Sequence, residues 1–284
     1  MTLDDWLGAH PYLQPVGRFC AQVDAAAAGI GTVCSIVPHW DAYAVDFRAG
    51  VPLLKSADAG IDLESGGRTV LELVARLASD SLTGKPSADA SALDAELRRD
   101  GVSAGRIAEW LLGDDGFTPS CPGLLRYLGW TAMATYLAPV VAAYGSWRDE
   151  EKWLRRYCPT CGSTPAMAQL VGTDPGRMRF LSCGCCGTRW QCSRTGCPFC
   201  GEDTRRLAVL AIEGEGGLRI DYCESCRGYL KTYDGQGGEA VLLADWTSLH
   251  LDVLAHDRGL KRLAASLYAL SSLEPTIEDA GPGL

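Results

Sequence analysis

Four C-x-x-C pairs fall between Cys158 and Cys226, and they form a duplicated unit. Cys158-Pro-Thr-Cys161 is followed, after a gap of 21 residues, by Cys183-Gly-Cys-Cys186. Ten residues on, Cys197-Pro-Phe-Cys200 is followed, after a gap of 22, by Cys223-Glu-Ser-Cys226. Two residues between cysteines let both sulfurs of a tight turn face one ion, and a second turn returned by a hairpin completes a tetrahedral set of four thiolates. The repeat therefore predicts two metal sites, each held within one half: Cys158/Cys161/Cys183/Cys186 and Cys197/Cys200/Cys223/Cys226. Interleaved pairing between the halves would make no use of the duplication. Gly162, Gly187 and Gly201 directly follow the second cysteine of their pairs, and Gly228 sits one place later. A residue without Cβ can take positive φ there and turn backbone N–H groups toward the sulfurs.

The alternative for so many cysteines is a disulfide framework. Against it stand the length of the chain, an odd thirteen cysteines and an acidic opening, Met1-Thr-Leu-Asp-Asp5, in place of a cationic-plus-apolar leader. No apolar run approaches the ~20 residues that span a bilayer. These features lead us to expect a soluble, cytoplasmic protein whose thiols stay reduced. The net charge of −9 argues against general nucleic-acid binding. From Arg155 to Lys231, however, eleven Lys/Arg face seven Asp/Glu. Two tetrathiolate sites, each carrying −2, would bring that segment near neutrality.

The first 150 or so residues read as mainly helical. Leu71, Val74, Ala75, Leu77 and Ala78 recur at helical spacing within Arg68–Ser79, and Tyr12–Ala28 and Ser91–Asp100 follow the same pattern. Ser103 can cap a helix running to Leu112 and ended by Gly113. Ser120 opens a long apolar stretch through Leu124, Leu125, Leu128, Met133, Leu137 and Val141, which Pro139 should kink or interrupt. After Trp153 short β-rich segments alternate with the cysteine turns: Met167–Val171, Met178–Ser182, Leu207–Ile212 and Leu218–Tyr222. Gly172–Gly176 and Gly214–Gly217 read as hairpin turns, and third strands follow near Thr188–Cys192 and Gly228–Tyr233. Each half is then a three-stranded ribbon of zinc-ribbon type, too small to stand without the metal's contribution to folding. Trp190 and Tyr229 are placed to cover the apolar side of each site. Asp245 can cap a last helix through Trp246–His256. The fold class is α+β. Its parts are a helical domain (1–154), two ribbon modules (155–194 and 195–234), a C-terminal helical segment (235–271) and a mobile tail (272–284).

Cys20, Cys34 and Cys121 read as small apolar residues, and Cys185 and Cys192 as bystander thiols. His10, His39, His250 and His256 lie far apart with no i, i+4 pair and read as ordinary polar positions. Asp4/Asp5 and Glu150/Glu151 read as solvated helix-end charges. Gly214-Glu-Gly-Gly217 lacks the Lys-Ser/Thr of a phosphate loop. No nucleophile–base set is visible, and four thiolates leave a tetrahedral ion no position for an activated water, so we expect no enzymatic activity.

Several strings resemble the formate dehydrogenase accessory proteins of the FdhE family. They are Tyr157-Cys-Pro-Thr-Cys-Gly-Ser-Thr-Pro165, the Cys183–Cys186 turn followed by Trp190, Cys197–Cys200, and Tyr222-Cys-Glu-Ser-Cys-Arg-Gly-Tyr-Leu-Lys231. Gly123-Leu-Leu-Arg-Tyr-Leu-Gly-Trp130 and His10-Pro-Tyr-Leu13 are similar too, so the resemblance spans nearly the whole chain. It implies a helical N-terminal domain and two rubredoxin-like modules that hold iron (Fe2+/Fe3+). It also implies a non-enzymatic, cytoplasmic role in maturing formate dehydrogenase by binding its catalytic subunit. The chain departs from the family in carrying an extra thiol, Cys185, inside the second turn. Either Cys183 or Cys185 can then pair with Cys186, and the intact C-x-x-C spacing favours Cys183. Zinc fits the same sulfur cage as iron. Two other readings are a rubredoxin-type electron carrier and a nucleic-acid-binding zinc-ribbon protein.

Overall fold

The structure, a computed structural model, describes residues 1–79, 85–113, 116–173 and 176–268. The tail from Ser272 and the tip of the Gly172–Gly176 turn lie outside these residues. Seven helices come first: α1 (Leu3–Ala9), α2 (Gln14–Ala28), α3 (Trp40–Ala49), α4 (Leu63–Ser79), α5 (Lys85–Arg99), α6 (Ala104–Leu112) and α7 (Pro122–Trp147). Thr2 and Asp5 close a reciprocal capping box on α1, so Asp5 is a helix-end charge as its position suggests. Ser103 caps α6, and Gly113 ends it in the left-handed conformation. The α4 helix packs on α5, α6 and α7. Its approach to α6 is so close that a Cβ on Gly67 would lie 1.9 Å from the Ala104 carbonyl oxygen.

Pro139 does not interrupt α7, which runs from Pro122 to Trp147. A proline leaves one carbonyl of the preceding turn without its helical donor and crowds its neighbours. Beside it, the Tyr136 carbonyl accepts the Cys34 N–H at 2.8 Å, a partner from outside the helix. Burial of Leu125, Leu128, Met133 and Leu137 on this helix outweighs the local defect. The α3 helix was not expected from the sequence. It carries Tyr43 and Phe47 into an aromatic cluster with Tyr144, Trp147 and Trp153.

The second half is built on six strands: β1 (Met167–Val171), β2 (Met178–Ser182), β3 (Arg189–Cys192), β4 (Leu207–Ala211), β5 (Leu218–Cys223) and β6 (Tyr229–Asp234). Each half folds as the expected antiparallel three-stranded ribbon. The two ribbons do not stay separate. Strand β1 pairs with β6 in parallel, from Met167 opposite Lys231 to Leu170 opposite Asp234. One mixed sheet of order β3-β2-β1-β6-β5-β4 results. A short α8 (Glu239–Leu242) and α9 (Leu249–Asp257) follow.

Asp245 does not cap α9. Residues Asp245–Ser248 form a 3-10 turn, and the Asp245 carboxylate turns inward. There it pairs with Lys231 at 2.7 Å and Arg262 at 2.5 Å and accepts from Ser266. Asp252, which pairs with Lys231 at 2.9 Å and with Arg262, completes a buried set of two cations and two anions. Burying a charge is costly unless it is paired, and this arrangement pairs all four. Among the described residues, no helix is long and apolar enough to cross a membrane.

Candidate metal centres

The four cysteine turns share one backbone template. In each, the first cysteine's N–H donates to the carbonyl five residues on: Cys158 to Ser163, Cys183 to Thr188, Cys197 to Glu202 and Cys223 to Gly228, at 2.7 to 2.9 Å. In three of them the residue after the second cysteine donates back to the first cysteine's carbonyl: Gly162, Gly201 and Arg227. Gly162, Gly187 and Gly201 have φ of 84°, 72° and 83°, as the glycine pattern predicts. The fourth turn differs, because the positive φ falls on Arg227, at 61°, and not on Gly228. Gly228 is needed for space. A Cβ there would lie 2.7 Å from Leu263 Cδ1 and 3.1 Å from Cys226 Sγ. Its N–H, at 3.3 Å, donates to that same sulfur.

These turns bring the eight cysteines into two groups, Cys158/Cys161/Cys183/Cys186 and Cys197/Cys200/Cys223/Cys226. Within each group all four sulfurs lie within 4.8 Å of one another. Cys158–Cys186 and Cys161–Cys183 are 3.5 and 3.4 Å apart, and Cys197–Cys226 and Cys200–Cys223 are 3.7 and 3.8 Å apart. A disulfide needs ~2.05 Å, and every cysteine is free. A tetrahedral ion with metal–sulfur bonds of ~2.3 Å sets sulfur–sulfur edges of about 3.8 Å. The donor set thus fits a thiophilic divalent ion in both places. Burial pushes the Cys158 thiol up, so four thiolates in this space require a cation among them. Backbone N–H groups of Cys185 and Phe199, both at 3.4 Å, donate to Cys183 and Cys197 and help spread the negative charge. Cys185 stands beside the first group, with the Ser163 hydroxyl 3.5 Å from its sulfur.

The two centres differ in their surroundings. All four cysteines of the first are buried, whereas in the second Cys200 is exposed and Cys226 half-buried. The helical half makes the difference, because it seats the first turn. Leu53 and Leu54 N–H donate to the Pro159 and Thr160 carbonyls at 2.9 Å, and the Tyr144 hydroxyl donates to the Pro159 carbonyl. Trp190 is fully buried in the same core as the first group, with its indole N–H on the Arg155 carbonyl. Tyr229 does not play the matching part. It sits in the second core and donates its hydroxyl to Asp252 at 2.7 Å, because the charged set under β6 supplies a stronger acceptor than a sulfur.

Of the other sequence candidates, Cys20 and Cys34 are buried core residues, Cys121 is half-buried, and His39 and His256 are exposed. Glu150 keeps 38% of its side chain exposed, but it also pairs with Arg148 and accepts the Gln191 N–H of β3. His10 and His250 are brought together around Glu215, a cluster that no sequence spacing indicated.

Residues 157–194 match the family model described as FdhE, central domain. A protein named FdhE homolog from Aquifex aeolicus is 33% identical over 134 residues, which cover 45% of this chain and 47% of that protein. The FdhE homolog of Pseudomonas aeruginosa is 38% identical over 126 residues, 40% of each chain. Protein FdhE of Salmonella paratyphi B is 33% identical over 138 residues, 47% of this chain and 44% of that one. The aligned part thus spans less than half the length of each of these relatives. The crystal structure of the FdhE protein from Pseudomonas aeruginosa shares the fold, with a TM-score of 0.60 at 23% identity over 90% of this chain and 88% of that one.

Proposed function

We propose that the chain is a member of the FdhE family, whose central-domain model and named relatives it matches over part of its length, and that it is a cytoplasmic, non-catalytic accessory factor in the maturation of formate dehydrogenase. It carries two ions, one bound by Cys158, Cys161, Cys183 and Cys186 and the other by Cys197, Cys200, Cys223 and Cys226. It acts by binding the catalytic subunit of that enzyme. The observation that carries this reading is the pair of four-sulfur clusters on one continuous sheet, the first lying inside the segment that matches the family. Four thiolates close a tetrahedron, so such ions hold shape or exchange electrons and do not activate water. The fused sheet fixes the two centres relative to each other, which suits a rigid docking surface.

Iron is the favoured ion by family, and zinc satisfies the same donors. Anaerobic purification followed by metal analysis and a visible spectrum separates them: iron gives a red protein bleached on reduction, zinc a colourless one. The functional reading is tested by co-purification with the formate dehydrogenase catalytic subunit and by restoration of formate dehydrogenase activity in cells lacking the gene. Cys→Ser at any of the eight positions should lower ion retention and enzyme activation together. Absence of any association with the catalytic subunit would overturn the assignment.

The exposed Cys200 favours one second reading, a rubredoxin-type electron carrier, because an ion near the surface exchanges electrons readily. A reversible one-electron couple at the second centre, with no binding to the catalytic subunit, would establish it.

A further inference from the structure

Away from both thiolate centres, three elements distant in sequence meet at one carboxylate. Glu215 stands in the β4–β5 turn, where Gly214, Gly216 and Gly217 all have positive φ and hold the loop tightly. His10 arrives from the end of α1 and His250 from the start of α9. The Glu215 Oε2 atom lies 3.2 Å from His10 Nε2 and 2.7 Å from His250 Nε2. The two imidazoles stack, with centroids 5.1 Å apart. All three side chains are largely buried, at 9%, 15% and 15% exposure. Trp6 stacks on His10 with centroids 4.0 Å apart and stands tilted 6.5 Å from His250, and Tyr12 stands edge-on to both imidazoles.

The hydrogen bonds fix how these groups can be used. His10 Nδ1 is 3.0 Å from the Trp6 carbonyl oxygen, which can only accept, so Nδ1 carries a proton. In a neutral ring, the Nε2 lone pair then points at the carboxylate. A ring whose Nδ1–H is held by a backbone carbonyl and whose Nε2 faces a carboxylate is oriented as metal-ligating histidines are. Bonds of ~2.0–2.2 Å from an ion to nitrogen and oxygen leave the ligand atoms about 3 to 3.5 Å apart. The 3.2 Å between His10 and Glu215 matches this, and the 2.7 Å hydrogen-bond contact between His250 and Glu215 would open slightly to admit the ion. The ligand atoms of all three residues lie within 4.8 Å of one another.

We infer that His10, His250 and Glu215 form a third metal site, of two imidazoles and one carboxylate, for a borderline divalent ion of the zinc and cobalt class. Its nitrogen–oxygen donors distinguish it from the two sulfur cages. Three protein ligands leave at least one coordination position open. An ion there joins the N-terminal segment, the second ribbon and α9 at one point.

Cobalt(II) is the probe. Added to the full-length apo protein under reducing conditions, it should bind to three equivalents. Two of them give strong thiolate-to-cobalt charge transfer in the near ultraviolet, and the third gives only weak visible bands of a nitrogen–oxygen site. Glu215→Gln and His250→Gln should each reduce the total to two while leaving the charge-transfer intensity unchanged, which also reports that the sheet is folded. In the wild-type protein, the 15N resonance of His10 Nε2 should move with the third equivalent of zinc. Saturation at two equivalents, persistence of the third in both variants, or a His10 Nε2 that still carries a proton after zinc addition would each overturn the site. Loss of charge transfer after Cys→Ser concerns the sulfur centres alone, so the two readings fail separately.

Discussion

Arg227 and Gly228 show how one turn meets the demand that its three counterparts meet with a single glycine. A left-handed conformation costs an L-residue about 1–2 kcal/mol, and Arg227 adopts it at φ 61°. Its side chain offsets part of that by donating to the Arg258 carbonyl at 2.7 Å. Arg227→Gly should therefore change stability by no more than about 1 kcal/mol, with strain relief and the lost hydrogen bond nearly cancelling. Gly228→Ala should cost about 1–3 kcal/mol by overpacking and weaken ion retention at the second centre, because the new methyl meets Cys226 Sγ. Urea denaturation and metal content of the two variants check both outcomes. At Lys231 the argument concerns charge. Burial pulls its amine down to about 8, against the pull of Asp245, so it remains cationic at neutral pH. Lys231→Met leaves two buried carboxylates with one guanidinium and should cost about 3–5 kcal/mol. Burial would raise the Asp245 carboxyl, but Lys231 and Arg262 outweigh it and hold it well below the usual range. A carboxylate lowered on folding contributes stability that is complete above the unfolded pKa of ~4 and is lost as pH falls toward its folded value. The stability difference between wild type and Asp245→Asn should thus be constant between about pH 5 and 7, below the range in which Lys231 titrates, and shrink on acidification.

At the scale of elements, the parallel β1–β6 pair decides whether the ribbons behave as two units or one. Ala168, fully buried, lies between Leu181 and Thr232. Ala168→Pro removes a ladder donor in the middle of the sheet and should cost about 3 kcal/mol or more. Both ribbons should loosen together, seen as faster amide exchange in β5 as well as β2; exchange confined to β2 would mean independent ribbons. The strands themselves were legible, because C-x-x-C turns bracket them and Met167–Val171 and Met178–Ser182 are rich in β-formers between breakers. Their fusion was not, since pairing Met167 with Lys231 leaves no local mark in either strand. Asp245 looked like a helix cap because capping is a local pattern, while its partners Lys231 and Arg262 are distant in sequence. The sulfur groups were visible from spacing alone, whereas His10, Glu215 and His250 share no period and meet only through the fold. Pro139 carried a correct local penalty that the burial around α7 overrides.

For the molecule as a whole, the helical half acts on the two centres unequally, and this gives an ordering. The first turn is pinned by Leu53, Leu54 and Tyr144 and buried on all four cysteines. The second belongs to the other ribbon, β4–β6, and keeps Cys200 exposed and Cys226 half-buried. It is tied to the first core by Phe199, which packs against it, and by Arg156, whose guanidinium reaches the Cys197 carbonyl at 3.5 Å. An ion leaves a thiolate cage by stepwise replacement of sulfurs by protons or a competing chelator, which needs access to at least one sulfur. Exposed Cys200 offers that access, and no cysteine of the first group does. A chelator at neutral pH should therefore remove the two thiolate-held ions in two phases, the fast one from the second centre. In Cys200→Ser the fast phase should disappear from the time course and the slow phase keep its rate. If instead the slow phase vanished, or both ions left together, the helical half would not be what protects the first centre. Lowering the pH should accelerate the fast phase first, because protons reach the exposed sulfur before the buried four.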